Sequence, residues 1–142
     1  MTDVHPKEVR SFNMSQIKGE NTKPELMVRE FLFANGFRYR LHSKELPGKP
    51  DIILPKHKTV IFINGCFWHG HYQCEYFIIP KTRTEWWLLK INKTRERDKK
   101  IITELEELKW RVIVIWECQL KTVPRNKTFE KLILILNTKW VK

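Results

Sequence analysis

The chain has 142 residues, of which 27 are Lys or Arg and 16 are Asp or Glu, giving a formal net charge of +11 and a pI near 9.7. That length suits one domain with a real hydrophobic core, and the basic excess points to a polyanionic partner, nucleic acid ahead of an anionic membrane surface. No stretch approaches the roughly 18 apolar residues of a membrane span, Met1 leads into polar sequence without a signal-peptide pattern, and three cysteines, an odd number, argue for a reducing cytoplasm rather than a disulfide framework.

Residues 1–21 are polar and aperiodic and read as a basic N-terminal arm; residues 22–142 read as one domain. "TKPE" opens a helix, with Thr22 as cap, Pro24 tolerated in the first turn and Glu25 placed for a capping box. Leu26, Val28, Phe31 and Leu32 offer an apolar face, and Gly36 stops the helix. "FRYRL" (Phe37–Leu41) alternates as a half-buried strand does. After the turn "LPGKPD", the segments "DIIL" and "TVIFI" read as two strands of a hairpin around "PKHK". From Thr84 to Leu108 the pattern is helical, with Trp87, Ile91, Ile101, Leu105 and Leu108 near one face. Its charged middle, "KTRERDKK", bends the helix or faces solvent or phosphate. "RVIVIW" (Arg111–Trp116) is a further buried strand, with Trp110 just before it and Trp116 at its end expected to be core residues, and "FEKLILIL" a final helix. The order helix, three strands, long helix, strand, helix describes an α/β domain with a mixed central sheet flanked by helices.

The densest chemistry lies in "INGCFWHGHYQC" (Ile63–Cys74). Cys66, His71 and Cys74 provide three metal-ligand side chains within nine residues, and Cys118 is the one remaining cysteine. Three sulfurs and an imidazole make a closed tetrahedral site of the structural-zinc kind. His69 could take the place of His71 in it, and either choice leaves one histidine free. Asp51, at the start of a strand after a Pro turn, is either a turn-capping carboxylate or a ligand for Mg²⁺, a hard cation that prefers oxygen. The hairpin would bring it near Ile63, Asn64 and the loop carrying His69. A free imidazole beside a metal-bound phosphate titrates in the range needed to take a proton from water. Glu25, taken alone, reads as a cap. Phe67 and Trp68 either pack in the core or wedge into a base stack.

Taken together, "DVHPKEVRSFNMSQI", "LPGKPDIIL", "VIFINGCFWHGH", "TRTEWW" and "KWRVIVIWEC" resemble the very short patch repair (Vsr) endonuclease family, over residues 3–120. The resemblance implies a restriction-endonuclease-like fold with a catalytic Mg²⁺ and a structural Zn²⁺. Asp51 and the main-chain carbonyl of Ile63 would bind Mg²⁺, with His69 as general base and Glu25 positioning water at the metal. Cys66, His71, Cys74 and Cys118 would hold zinc, while Phe67, Trp68 and Trp87 would intercalate beside the mismatch and residues 1–21 would clasp the DNA. The chain departs from the pattern twice. Asn64 stands where the family's best-known members have a second histidine, and one extra residue precedes Cys74.

The activity implied is Mg²⁺-dependent nicking of one strand 5′ to the mismatched T of a T:G pair left by deamination of 5-methylcytosine. The partners implied are mismatched double-stranded DNA and, functionally, a cytosine-5 DNA methyltransferase, with mismatch-repair proteins left open. A monomer in the bacterial cytoplasm, associated with the nucleoid, is expected. The competing expectations are a zinc-stapled DNA-binding module without catalysis and a restriction-like nuclease that needs no mismatch.

Overall fold

A computed structural model of the protein describes residues 21–139; the basic arm expected over residues 1–21 lies outside them but for Asn21. Among the described residues the first helix, α1, spans Lys23–Ala34. Thr22 Oγ1 accepts the Glu25 N–H at 3.4 Å, as a cap should. The second half of the capping box is displaced by one residue, since the Glu25 carboxylate accepts the Asn21 N–H at 2.9 Å. At the other end Gly36 takes a φ of +85°, its N–H bonds Phe33 O at 3.1 Å, and Phe37 N–H bonds Leu32 O at 2.9 Å. This pair of bonds is the Schellman motif, which needs a left-handed residue where glycine stands. Val28 and Leu32 are fully buried, whereas Leu26, expected on the same face, is 45% exposed.

Among the described residues four strands form one mixed sheet: β1 (Arg40–Leu41), β2 (Ile52–Leu54), β3 (Thr59–Asn64) and β4 (Arg111–Trp116), ordered β1-β2-β3-β4. Of the strand expected over Phe37–Leu41 only Arg40 and Leu41 pair; Phe37 and Tyr39 turn onto the core instead. β2 and β3 form the expected antiparallel hairpin with Ile52 opposite Ile61. β4 runs parallel to β3, from Thr59 beside Arg111 to Asn64 beside Trp116. A parallel neighbour requires a crossover, and the 24-residue helix α2 (Thr84–Glu107) lies in it. Helix α3 (Arg125–Asn137) follows β4.

Strand alternation sends side chains to two cores. Ile52, Leu54, Ile61, Ile113 and Ile115 pack with Val28 and Leu32 of α1 and with Leu132 and Leu136 of α3. Phe31 and Phe129 join those two helices by a stacked contact, centroids 4.1 Å apart. On the other face Ile53 and Val60 pack with Leu105 of α2, flanked by Ile101 and Trp110. Leu108, counted in the apolar face of α2, is 51% exposed. The sheet is therefore the middle of three layers, and its purpose for the site is simple: β3 and β4 end side by side, so the loops after Asn64 and Trp116 begin together. Among the described residues no helix is long and apolar enough to cross a membrane.

Candidate active site and metal cluster

Asp51 is fixed by strand pairing. Leu41 lies opposite Ile52 across β1 and β2, so the next positions outward bring His42 towards Asp51. Asp51 Oδ2 accepts the Ile63 N–H at 2.7 Å, and Oδ1 lies 3.9 Å from His42 Nε2. Glu25, 2% exposed, reaches the same place from α1: its Oε2 is 3.0 Å from an Arg29 guanidinium nitrogen and 3.3 Å from His42 Nε2. Donor atoms of Glu25, His42 and Asp51 all lie within 4.8 Å of one another. Burial, with Glu25 adding to it, raises the Asp51 carboxyl from 3.8 to about 6 against the opposing Ile63 N–H. Two carboxylates and an imidazole converging where one carboxylate is costly to ionise fit a divalent cation, whose charge removes that cost. The contact seen at Ile63 runs through its N–H.

Asp51, Ile63, Asn64 and His69 line one cleft of about 1080 Å³, with Lys49 and Arg97 on its wall. Glu25 is not on that wall; it stands behind His42 and Asp51. His69 Nδ1 lies 2.7 Å from Asp98 Oδ2 on α2. A proton on Nδ1 shared with this carboxylate leaves Nε2 as the lone-pair nitrogen, the arrangement a general base needs. The loop carrying His69 is docked on the same helix. Arg95 Nε donates to Gly70 O at 2.8 Å, and Gly70 has a φ of +60°. A Cβ at Gly70 would run into Arg95 Nε and come to 2.5 Å of Ile91 Cγ2, so the helix and loop meet only because glycine is there.

Donor atoms of Cys66, His71, Cys74 and Cys118 likewise lie within 4.8 Å of one another. Cys118 Sγ is 3.5 Å from His71 Nδ1, and the Cys118 N–H points to Cys66 Sγ at 3.4 Å. Tetrahedral zinc with bonds of about 2.0–2.3 Å sets neighbouring ligand atoms roughly 3.5–3.8 Å apart, so the cluster fits the ion. Of the two histidines that sequence left open, His71 joins the cysteines and His69 the cleft. Gln73, in the left-handed region at φ +55°, lies in the two-residue segment joining His71 to Cys74. Burial, with the neighbouring thiols, pushes the Cys118 thiol up to about 12 and raises Cys66 too, while burial lowers His71. The imidazole is thus kept neutral, and the thiols surrender protons only to a bound cation. Trp116, expected in the core, instead stacks on His71 with centroids 4.0 Å apart and planes at 6°. It is half-buried and covers the ligand cluster.

The aromatics after Cys66 form a surface cluster. Phe67 lies 5.2 Å from Trp68 and 5.3 Å from Trp87, and Trp68 lies 6.0 Å from Trp87, between ring centroids. Trp68 is 53% exposed. Core packing alone does not account for so large an apolar face left in water beside a cleft with basic walls.

A family model described as DNA mismatch endonuclease Vsr matches residues 2–76. The chain belongs to the DNA mismatch endonuclease Vsr family. It is 55% identical over 121 residues to "Type II nicking enzyme V.NmeAIP" of Neisseria meningitidis serogroup A, covering 85% of this chain and 86% of that one. It is 46% identical to "DNA mismatch endonuclease Vsr" of Escherichia coli (strain K12), covering 85% and 77%, and 45% identical to "Type II nicking enzyme V.XorIIP" of Xanthomonas oryzae pv. oryzae, covering 84% and 88%.

The span matched by the Vsr model contains Glu25, Asp51, Asn64, His69 and the ligand cluster up to Cys74. Trp87, Asp98 and Cys118 come from beyond it and reach the same places through α2 and β4. Two site residues were not singled out from sequence. Asp98 hides in "KTRERDKK", yet it falls seven residues after Ile91 and seven before Leu105, the two buried positions of α2; helical periodicity alone puts it on the inner face. His42 carried no such signal, because only the register of β1 on β2 brings it to Asp51.

Proposed function

We propose that this chain is a Mg²⁺-dependent DNA mismatch endonuclease that hydrolyses one phosphodiester, 5′ to the mismatched T of a T:G pair. One observation carries the reading. A single cleft with basic walls holds a half-buried carboxylate, Asp51, and a histidine, His69, whose Nδ1 is paired with Asp98. The names of its relatives, a mismatch endonuclease and nicking enzymes, agree with that chemistry.

In this reading Asp51, Glu25 and the Ile63 carbonyl would hold Mg²⁺, which when bound would supply positive charge against the negative charge that builds on the phosphate oxygens. His69 takes the proton of the attacking water on Nε2, while Asp98 holds the ring in the right tautomer and stabilises the imidazolium. Asn64 donates or accepts a hydrogen bond at the cleft but does not titrate near neutrality, so the role of base falls to His69. Lys49 and Arg97 hold the strand's phosphates. Phe67, Trp68 and Trp87 enter the base stack beside the mismatch, at a cost of a few kcal/mol per unstacked step. Zn²⁺ on Cys66, His71, Cys74 and Cys118 ties their loop to the end of β4.

The fold is restriction-endonuclease-like, residues 1–21 clasp the duplex, and the protein acts as a monomer in the bacterial cytoplasm. It repairs damage left beside the sites of a cytosine-5 methyltransferase. Product analysis on a T:G duplex tests the reading. A single nick 5′ to the T supports it. A double-strand break independent of the mismatch, or tight binding with no cut in any sequence context, overturns it.

A further inference from the structure

His42 is the residue at this site that the proposed chemistry leaves without a role. Its Nε2 is poised between two carboxylates, 3.3 Å from Glu25 Oε2 and 3.9 Å from Asp51 Oδ1, and it lines the cleft with 16% of its side chain exposed. The backbone is shaped to put it there. Immediately after Leu41 leaves β1, His42 adopts a φ of +45°, a left-handed conformation that a non-glycine side chain takes only under strain. Strain of that kind persists where surrounding structure imposes it, and here it turns an imidazole onto the Asp51 and Glu25 carboxylates.

We propose that His42 is a direct ligand of the divalent cation held by Asp51 and Glu25, and that it makes the site prefer Mn²⁺ to Mg²⁺. This inference rests on the reading of Asp51 as the cation-binding carboxylate. All three donor atoms lie within 4.8 Å of one another, a spacing at which one ion can touch each. Arg29 and the Asn21 N–H already engage Glu25 Oε2, which restrains that carboxylate on the side away from the cleft's solvent. The donor that distinguishes the set is the nitrogen. Mg²⁺ prefers oxygen ligands and retains water, so an imidazole gains it little. Mn²⁺ also favours carboxylate and water and stands lowest in the order of first-row ions, but as a transition-metal ion it accepts an imidazole more readily than the harder Mg²⁺ does. A site with two carboxylates and one imidazole therefore discriminates between ions that two carboxylates and water would treat alike.

The test uses the full-length, zinc-loaded protein, with Mn²⁺ and Mg²⁺ as the probes. Calorimetry gives the affinity for each ion, and electron spin-echo spectroscopy on bound Mn²⁺ reports nitrogen in its coordination shell. An Asp51→Ala control identifies the signal from this site, since it should disappear there. The wild type should show imidazole nitrogen modulation, and His42→Ala should lose it. The same substitution should weaken Mn²⁺ binding by roughly tenfold or more, the scale of losing a metal-site partner, and weaken Mg²⁺ far less. His42→Gln, which keeps a hydrogen bond to Glu25 but offers oxygen or amide nitrogen in place of imidazole, should fail to restore the Mn²⁺ preference.

Equal losses for both ions, rescued by Gln, would show that His42 only positions the carboxylates and would overturn the proposal. So would nitrogen modulation unchanged in His42→Ala. Single-turnover nicking of a T:G duplex in each ion separates the two layers of argument. A wild type that binds Mn²⁺ through His42 but never nicks contradicts the proposed function and leaves this inference standing. A wild type that nicks, with a Mn²⁺ to Mg²⁺ ratio indifferent to His42, does the reverse.

Discussion

At the scale of single residues the site is governed by the cost of ionising Asp51. Its carboxyl is raised from 3.8 to about 6, first by burial. Because the folded value exceeds the unfolded one, the protonated form favours folding. That contribution is complete below about pH 4 and is lost as pH rises through about 6. Asp51→Asn, measured without divalent cation in the cleft, should therefore be more stable than the wild type at pH 7.5, by on the order of 1–3 kcal/mol or several degrees in Tm. The advantage should vanish near pH 4, and equal melting temperatures at both pH values would contradict it. Asp98 acts on His69 through one 2.7 Å contact. Asp98→Asn should lower the single-turnover nicking rate roughly 10–100-fold, as loss of an orienting partner does, while mismatch affinity is retained. A fall in affinity with an unchanged rate would show that Asp98 serves binding instead.

At the scale of elements, legibility followed from how local each signal was. Thr22 and Gly36 are end signals read in one turn of chain, and α1 ends where they say. Register is not local, and so β1 shrank to two residues and His42 was invisible beside Asp51. Leu26 and Leu108 illustrate a related point, since a helix's apolar stripe is wider than the surface its neighbours cover. Asp98 was legible in principle, for α2 buries Ile91 and Leu105 with Asp98 midway between them, but the surrounding charge masked the period. The loop from Cys66 to Cys74 meets α2 at Gly70, where φ is +60° and there is no room for a Cβ. Gly70→Ala should cost about 2 kcal/mol or more, from left-handed strain and overpacking together. It should also slow nicking, because the loop that moves carries His69. Circular dichroism melts with a parallel nicking assay check both halves; a variant as stable and as fast as wild type would refute the docking.

At the scale of the whole molecule the Cys/His cluster joins the loop after β3 to the short 3-10 turn Glu117–Leu120 after β4. Its spacing was legible because three of its four donors are near in sequence; spacing left His69 and His71 as alternatives, the family resemblance implied His71, and the fold brings His71 together with the three cysteines. Stripping zinc with a chelator, or Cys118→Ser, should lower Tm by roughly 10 °C or more, and metal analysis should find about one zinc per chain in the native protein. An unmoved Tm would mean that the sheet, not the metal, holds the two loops together. The aromatic cluster was likewise legible as a set only through Trp87, which α2 brings to Phe67 and Trp68. Phe67→Ala with Trp68→Ala should reduce discrimination of T:G from T:A binding more than nonspecific affinity, since a wedge gains most where a mismatch has already weakened stacking.

The central claim is that the Asp51 cleft performs the chemistry on mismatched DNA. End-labelled duplexes differing only in T:G versus T:A, incubated with Mg²⁺ or EDTA and with wild type or Asp51→Ala, measure it directly. A Mg²⁺-dependent nick 5′ to the mismatched T is expected from the wild type alone, with Asp51→Ala still binding the T:G duplex. Nicking by Asp51→Ala at the wild-type rate, or equal cutting of T:A, would contradict it.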